Sequence, residues 1–294
     1  MFLTWITLVL VLELVMHSNK KCICSQVIIS GLFISCPALA DIDELYQLSI
    51  GASLESYNSD LSVNSNDTSK FKAIDFENDL GYNKRVNAGW ISGWYRVGDH
   101  HRLRITYTPL KRSATATNKK DIVIDNTTIK AGATIAAETK AEILDLSYIY
   151  SFYKSPQIEM GLSAGIYWLF NDTKLLAAGE IQAEGDDQPT FQADFISEQK
   201  LQAPMPLIGF SANYEIIPSW RSHAAVRYLS VQINETDGRI FSTEIGTEFY
   251  FNKNFGIGAS LSAFTLQVNV KGIIANTALG WEHDGIQIYA VFKY

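Results

Sequence analysis

From residue 46 to the last residue, apolar and polar side chains alternate with a period of two over much of the chain, which is the spacing of strands whose two faces meet different surroundings. The alternation predicts ten strands, over 46–54, 85–94, 102–108, 144–152, 158–170, 208–216, 220–228, 241–251, 255–263 and 285–294. In the last of these, Ile286, Ile288, Ala290, Phe292 and Tyr294 share one face, and Gln287, Tyr289, Val291 and Lys293 share the other. In the second, Val86, Ala88, Trp90 and Trp94 are assigned to the apolar face and Arg85, Asn87, Gly89 and Gly93 to the polar one. Helical periodicity of useful length is missing, and no run of 18 apolar residues is present to span a bilayer as a helix. The counts of Gly, Tyr and Phe (19, 14 and 15) suit strands better than helices.

Two all-β architectures share this pattern, a soluble sandwich and a closed barrel in a membrane. A sandwich turns its polar faces to bulk water. Here the polar faces carry Gly, Ser, Asn and isolated charges of both signs, small groups that suit a crowded interior, while Trp, Tyr and Phe gather toward strand ends as in aromatic girdles. Connections also alternate. Tight turns at 97–100, 154–156, 217–219 and 252–254 separate long polar stretches at 57–84, 110–139, 173–203, 234–238 and 270–284. Short turns on one side and long loops on the other are the pattern of transmembrane barrels, and closure removes the unpaired edges that lipid forbids. The expected fold is therefore all-β, a closed antiparallel barrel of about ten strands. Eight or twelve stay open, because 120–137 alternates enough to form one more hairpin above the membrane. On the inward parity fall Arg102, Arg104, Arg221, His223 and Arg227 with Glu159, Glu215, Glu244 and Glu248. These charges are expected to compensate one another across a narrow lumen, either as a salt-bridged filling or as the lining of a thin ion channel.

The front of the chain reads as an export signal. From Met16, a plausible true start, Lys20 and Lys21 supply positive charge, 27–35 an apolar core, and Ala38-Leu39-Ala40 a small-x-small cleavage site, so that residues 1–40 form the signal and 41–294 the barrel. Two rivals are a membrane anchor formed by the first fifteen residues and a lipoprotein signal ending at Cys36. All three cysteines (Cys22, Cys24, Cys36) lie in this region, which excludes thiolate catalysis and cysteine zinc sites from the barrel. The chain carries 24 basic and 31 acidic residues, and setting aside Lys20, Lys21 and Glu13 leaves the remainder more acidic still, against nucleic acid as a partner.

The alternating tail ending on an aromatic resembles the closing strand of bacterial outer-membrane barrels. Together with the segments 74–81, Tyr95-Arg96, His101-Arg102-Leu103, 148–152 and 204–209, it makes the chain similar to small Gram-negative outer-membrane β-barrel proteins of the OmpA-like or OmpW-like kind. The resemblance implies an outer-membrane location, contact with lipid and lipopolysaccharide, a monomer, and recognition of Ile288, Phe292 and Tyr294 by the barrel-assembly machinery. It implies no reaction and no cofactor. The expected role is non-enzymatic, as a structural protein, surface contact or narrow passive channel, with a lipid-modifying hydrolase as the alternative. For that alternative His283, read as part of the last external loop beside Glu282 and Asp284, is the histidine with a sensible location. An acidic group, Glu180, Glu184, Asp186 and Asp187, reads as a solvated loop before a Ca²⁺ site.

Overall fold

The computed structural model describes residues 44–65, 71–124, 127–183, 188–233, 236–271 and 275–294. The segment read as an export signal, with Ala38 and Ala40, and Glu184, Asp186 and Asp187, lie outside the described residues. Among the described residues thirteen strands occur: β1 (Tyr46–Ser65), β2 (Phe71–Asp75), β3 (Arg85–Arg96), β4 (His101–Thr117), β5 (Ile122–Ile124), β6 (Thr127–Ile129), β7 (Thr134–Lys154), β8 (Ile158–Ala183), β9 (Thr190–Ile217), β10 (Trp220–Ile233), β11 (Thr236–Tyr250), β12 (Phe255–Lys271) and β13 (Ala275–Lys293). Ten of them form the ring β1-β3-β4-β7-β8-β9-β10-β11-β12-β13, every neighbour antiparallel, and β13 closes it on β1. The remaining three decorate one end: β2 pairs with the far half of β1, and the β5–β6 hairpin pairs with the far end of β8.

The exterior has a sharp upper boundary. On β13 the outward residues from Tyr294 to Ile286 are apolar, and the next two, Asp284 and Glu282, are exposed acids. On β8 the outward series from Ile158 to Phe170 gives way to Asp172 and Lys174, on β7 Leu144 gives way to Glu142 and Lys140, and on β9 Ile208 is followed, past two prolines, by Gln202, Lys200 and Glu198. Aromatic rings mark both rims, with Tyr95, Phe152, Trp220, Phe249 and Phe255 at the turn end and Tyr107, Trp168, Tyr228 and Phe241 at the other. An apolar band bounded by aromatic girdles is the signature of a barrel in lipid. An acid at Ile288, 63% exposed within this band, is expected to cost roughly 2 kcal/mol or less of folding free energy, while Gln287→Glu, on the lumen face, should be near neutral; unfolding of both variants in lipid vesicles measures the difference.

The strands do not stop at the boundary. Much of what the sequence presents as external loop, notably 57–65, 110–117, 173–183 and 190–203, is strand that carries the wall past the lipid. Above the boundary the apolar side chains point inward and build a second core, in which Ile122, Ile129, Ile135, Ala177 and Ile181 are sealed from solvent. The hairpin expected within 120–137 is present there as β5 and β6. Two seams open in this upper wall. Pairing of β9 with β10 ends at Ile208–Tyr228, next to Pro206 and Pro204, which have no N–H to offer on the β10 side while β8 still pairs on the other. Pairing of β3 with β4 ends at Ile91–Tyr107. Beyond it the 76–84 segment is held in place instead, as Tyr57 N–H donates to the Lys84 carbonyl (2.7 Å) and Arg112 pairs with Glu77 (2.5 Å).

One face assignment is overturned. Val86, Ala88, Trp90 and Trp94 point into the barrel, and Arg85, Asn87, Gly89 and Gly93 point out. Register gives the reason: Trp90 pairs with the inward Gly51, where a Cβ would stand 2.9 Å from the Trp90 ring and 2.6 Å from Tyr289 Cβ. A glycine on the wall makes room for two large rings that fill the lumen.

Candidate lumen site

The inward charges assemble into separate layers. Nearest the turns, Glu159 receives Arg96 through two bonds (2.8 and 3.1 Å), Arg102 at 3.3 Å and the Ser151 hydroxyl at 2.5 Å. Arg221, on β10, pairs with Glu44, which precedes β1. Glu248 accepts from Tyr250 (2.6 Å), Gln47 (3.1 Å) and Tyr289 (3.3 Å). At mid-height Asp145 binds Arg227, lies 3.6 Å from Arg104 and accepts from Ser147 (2.6 Å), and His223 faces Glu244 at 3.4 Å. Here too a glycine makes the approach possible, since a Cβ on Gly246 would stand 2.6 Å from the His223 ring.

All nine charges assigned to the lumen from the sequence lie on inward parity, but their partners differ from the simplest pairing. Arg102–Glu159 and His223–Glu244 join members of that set. Arg104 and Arg227 share Asp145, Arg221 takes Glu44, and Glu248 is held by hydroxyls and an amide rather than by a guanidinium. Glu215 is buried on β9. Arg96, Asp145 and Glu44 were missed as members. Asp145 carries the inward parity and is legible in the sequence; Arg96 shares its parity with Trp94, on the face that the alternation assigns to the outside, and Glu44 lies before the first strand, where no periodicity marks it.

Above these layers the lumen is crossed by stacked rings. Tyr57 on β1 stacks on His283 of β13 (centroids 5.1 Å apart), His283 on Phe264 of β12 (5.2 Å), and Phe264 on Tyr167 of β8 (5.1 Å), on the far side of the ring of strands. Arg112 covers the outer face of this septum, 5.0 Å from the Tyr57 ring and 4.8 Å from Tyr82. Tyr57 donates to Glu55 (2.5 Å), and Glu55 lies 3.4 Å from His283 Nδ1. His283 is thus not a loop residue, as the sequence suggested, but a lumen residue of β13 packed into a septum. Between septum and lower plug is a cavity of about 230 Å³, lined among others by Trp90, Arg104, Ser211, Arg227 and Glu244.

No protein-family model and no curated protein matches the sequence. Among solved structures, the outer membrane protease OmpT from Escherichia coli overlays with a TM-score of 0.54 at 12% identity, over 87% of this chain and 98% of that one. This chain has the fold of an outer-membrane β-barrel. The toluene transporter TodX of Pseudomonas putida (TM-score 0.36, 10% identity, 88% and 92% covered) and Ail, the attachment invasion locus protein of Yersinia pestis (0.27, 8%, 84% and 99%), are also similar but overlay too loosely to bear on the argument. At 12% identity the likeness to OmpT is one of fold, and what the barrel does has to come from its own interior and its own upper wall.

Proposed function

We propose that this barrel is a closed, non-enzymatic envelope protein whose role is contact at the cell surface, made by the wall that β7, β8 and β9 raise beyond the lipid. The observation that carries this reading is the double closure of the lumen. The plug around Glu159, Glu44 and Glu248 fills the turn end, and the stack from Tyr57 to Tyr167 fills the upper end, whereas the outward residues of the raised wall, such as Lys140, Lys174, Glu198 and Lys200, are exposed. Ten strands enclose little more than their own side chains, so a filled lumen is the economical state. A lipid-modifying hydrolase has less support: His283 meets a carboxylate and two aromatic rings inside the barrel, and it bonds to no serine hydroxyl among the described residues. The protein is read as a monomer bounded by lipid and lipopolysaccharide.

Conductance tests the closed lumen. Refolded protein in planar bilayers should give no discrete open steps above the bare membrane, and a reproducible unit conductance would replace this reading with that of a passive channel. Orientation is tested separately by cysteine labelling on intact cells. A membrane-impermeant maleimide should label Glu198→Cys on the raised wall and leave Lys154→Cys, at the short-turn end, unlabelled; the reverse pattern would bury the proposed contact surface in the periplasm.

A further inference from the structure

We propose that the open edge of β9 above the lipid takes an extended segment of a partner protein as an added antiparallel strand. The proposal rests on the raised wall being the contact surface, and it names what that surface recognises. β8 pairs with β9 in one unbroken register from Ile158–Tyr214 to Ala177–Phe195, whereas β10 leaves β9 at Ile208–Tyr228. Carried on in the same register, the last residue of β10, Ile233, would stand opposite Ala203. Among the described residues no strand pairs with 196–202 on that side. The backbone there is aimed at the vacancy. Glu215 N–H donates to the Gln157 carbonyl on the β8 side (2.8 Å), so residues of its parity bond toward β8, and Ile196, Glu198, Lys200 and Gln202, of the other parity, turn N–H and C=O the opposite way. A row of free donors and acceptors at strand spacing is what an extended peptide backbone complements.

The side chains narrow the choice of guest. Ile196 and its cross-strand neighbour Leu176 are 63% and 45% exposed, although they stand above the charged residues that end the lipid-facing band. Lipid does not cover them, and an apolar side chain on an added strand would. Glu198 is held by Lys174 (2.6 Å), while Lys200 is exposed and in no ion pair among the described residues. The guest therefore sets an acid beside Lys200 and, four residues on, an apolar residue beside Ile196, with an uncharged one between them at Glu198. Direction follows from the ring, since a strand in this lane continues that of β10 and runs antiparallel to β9. A second copy upright in the same membrane presents a β9 that runs parallel to this one and does not continue the ring. Pro204 and Pro206 withhold N–H groups from the same side, which confines the guest to the wall above them.

The test uses the full barrel refolded in detergent and a fluorescent peptide, Thr-Thr-Glu-Thr-Thr-Thr-Val-Thr-Thr, whose Glu and Val carry that spacing. A saturable rise in anisotropy is expected. Gln202→Pro, which removes one open-side N–H and extends the existing proline series, should weaken binding about fivefold, while Gln202→Thr, which keeps the N–H, should match the wild type. Lys200→Gln should weaken it about twofold, as for an exposed ion pair, and Lys154→Gln at the turn end should leave it unchanged. A peptide N-methylated at alternate residues, on the parity that bonds to β9, should not bind, and this comparison decides the matter if Gln202→Pro fails to refold by the heat-modifiable gel shift. No saturable binding by the wild type, equal binding by Gln202→Pro and Gln202→Thr, or full binding of the N-methylated peptide would overturn the proposal. A wild-type dimer in sedimentation that Gln202→Pro abolishes would also overturn it, giving the edge to a second copy. Binding to purified protein does not depend on which way the barrel stands in the membrane, so failure here is distinct from a reversed labelling pattern, which would remove the surface role and leave the peptide bound.

Discussion

Deletion of Phe292, Lys293 and Tyr294 is expected to abolish barrel assembly. β13 is the strand that closes the ring, and its last residues bond on both sides: Phe292 pairs with Leu48 of β1 and Phe255 of β12, and Lys293 N–H donates to the Asn254 carbonyl (2.8 Å). Tyr294 exchanges backbone bonds with Tyr46 (3.0 and 3.1 Å) and accepts from Leu45 N–H (2.6 Å). Its ring stacks on that of Tyr46 at 5.6 Å, and the Tyr46 ring lies 6.0 Å from that of Phe292. The truncation would leave the start of β1 and the end of the β12 hairpin with unpaired backbone groups at the level of the aromatic rim, where lipid offers no substitute. It also removes the terminal aromatic expected to be read during assembly. The truncated protein should accumulate in the periplasm and lose the heat-modifiable shift of folded barrels on gels. A folded, detergent-independent truncated monomer would contradict the membrane barrel itself.

Glu159→Gln should give the largest loss among single substitutions in the lumen, about 3–5 kcal/mol, because removing one partner of a buried ion pair strands the others. Glu159 is essentially inaccessible, 1% exposed, and two guanidinium groups that are themselves buried depend on it. Urea unfolding in lipid vesicles measures the effect. A change as small as that of Gln287→Glu would mean that Arg96 and Arg102 find other partners or water. Glu244→Gln is expected to cost much less, since it faces one histidine and leaves the arginines with Asp145 and Glu159. The stability of the lumen thus rests on two shared carboxylates rather than on an even exchange across the barrel.

The order of these effects follows from what the chain can and cannot say before it folds. Where a strand crosses lipid, its outer face has to be apolar and its inner face cannot be, so the alternation from Ile286 to Tyr294, or from Ile158 to Phe170, specifies strand, parity and environment at once. Ten strands, closure, the short turns and the inward parity of the nine lumen charges were all legible for that reason. Two things were not. Above the lipid the outer face meets water, and the apolar positions move to the inner one: β7 turns from outward Leu144 and Leu146 to inward Ala141, Ala137 and Ile135. A reading that holds one parity fixed sees the alternation fail there and assigns a loop, although the strand continues. β3 misleads in a similar way, because Trp90 and Trp94 look like girdle residues until the register sets Trp90 beside Gly51 in the lumen. Parity places a charge on a face but not at a height, and height depends on the stagger of ten strands around the ring. Which carboxylate serves which arginine, the passage of Glu44 to Arg221, and the four rings from Tyr57 to Tyr167 that meet across the barrel were therefore decided only by tertiary structure, since each joins residues whose separation is set by closure and not by the chain.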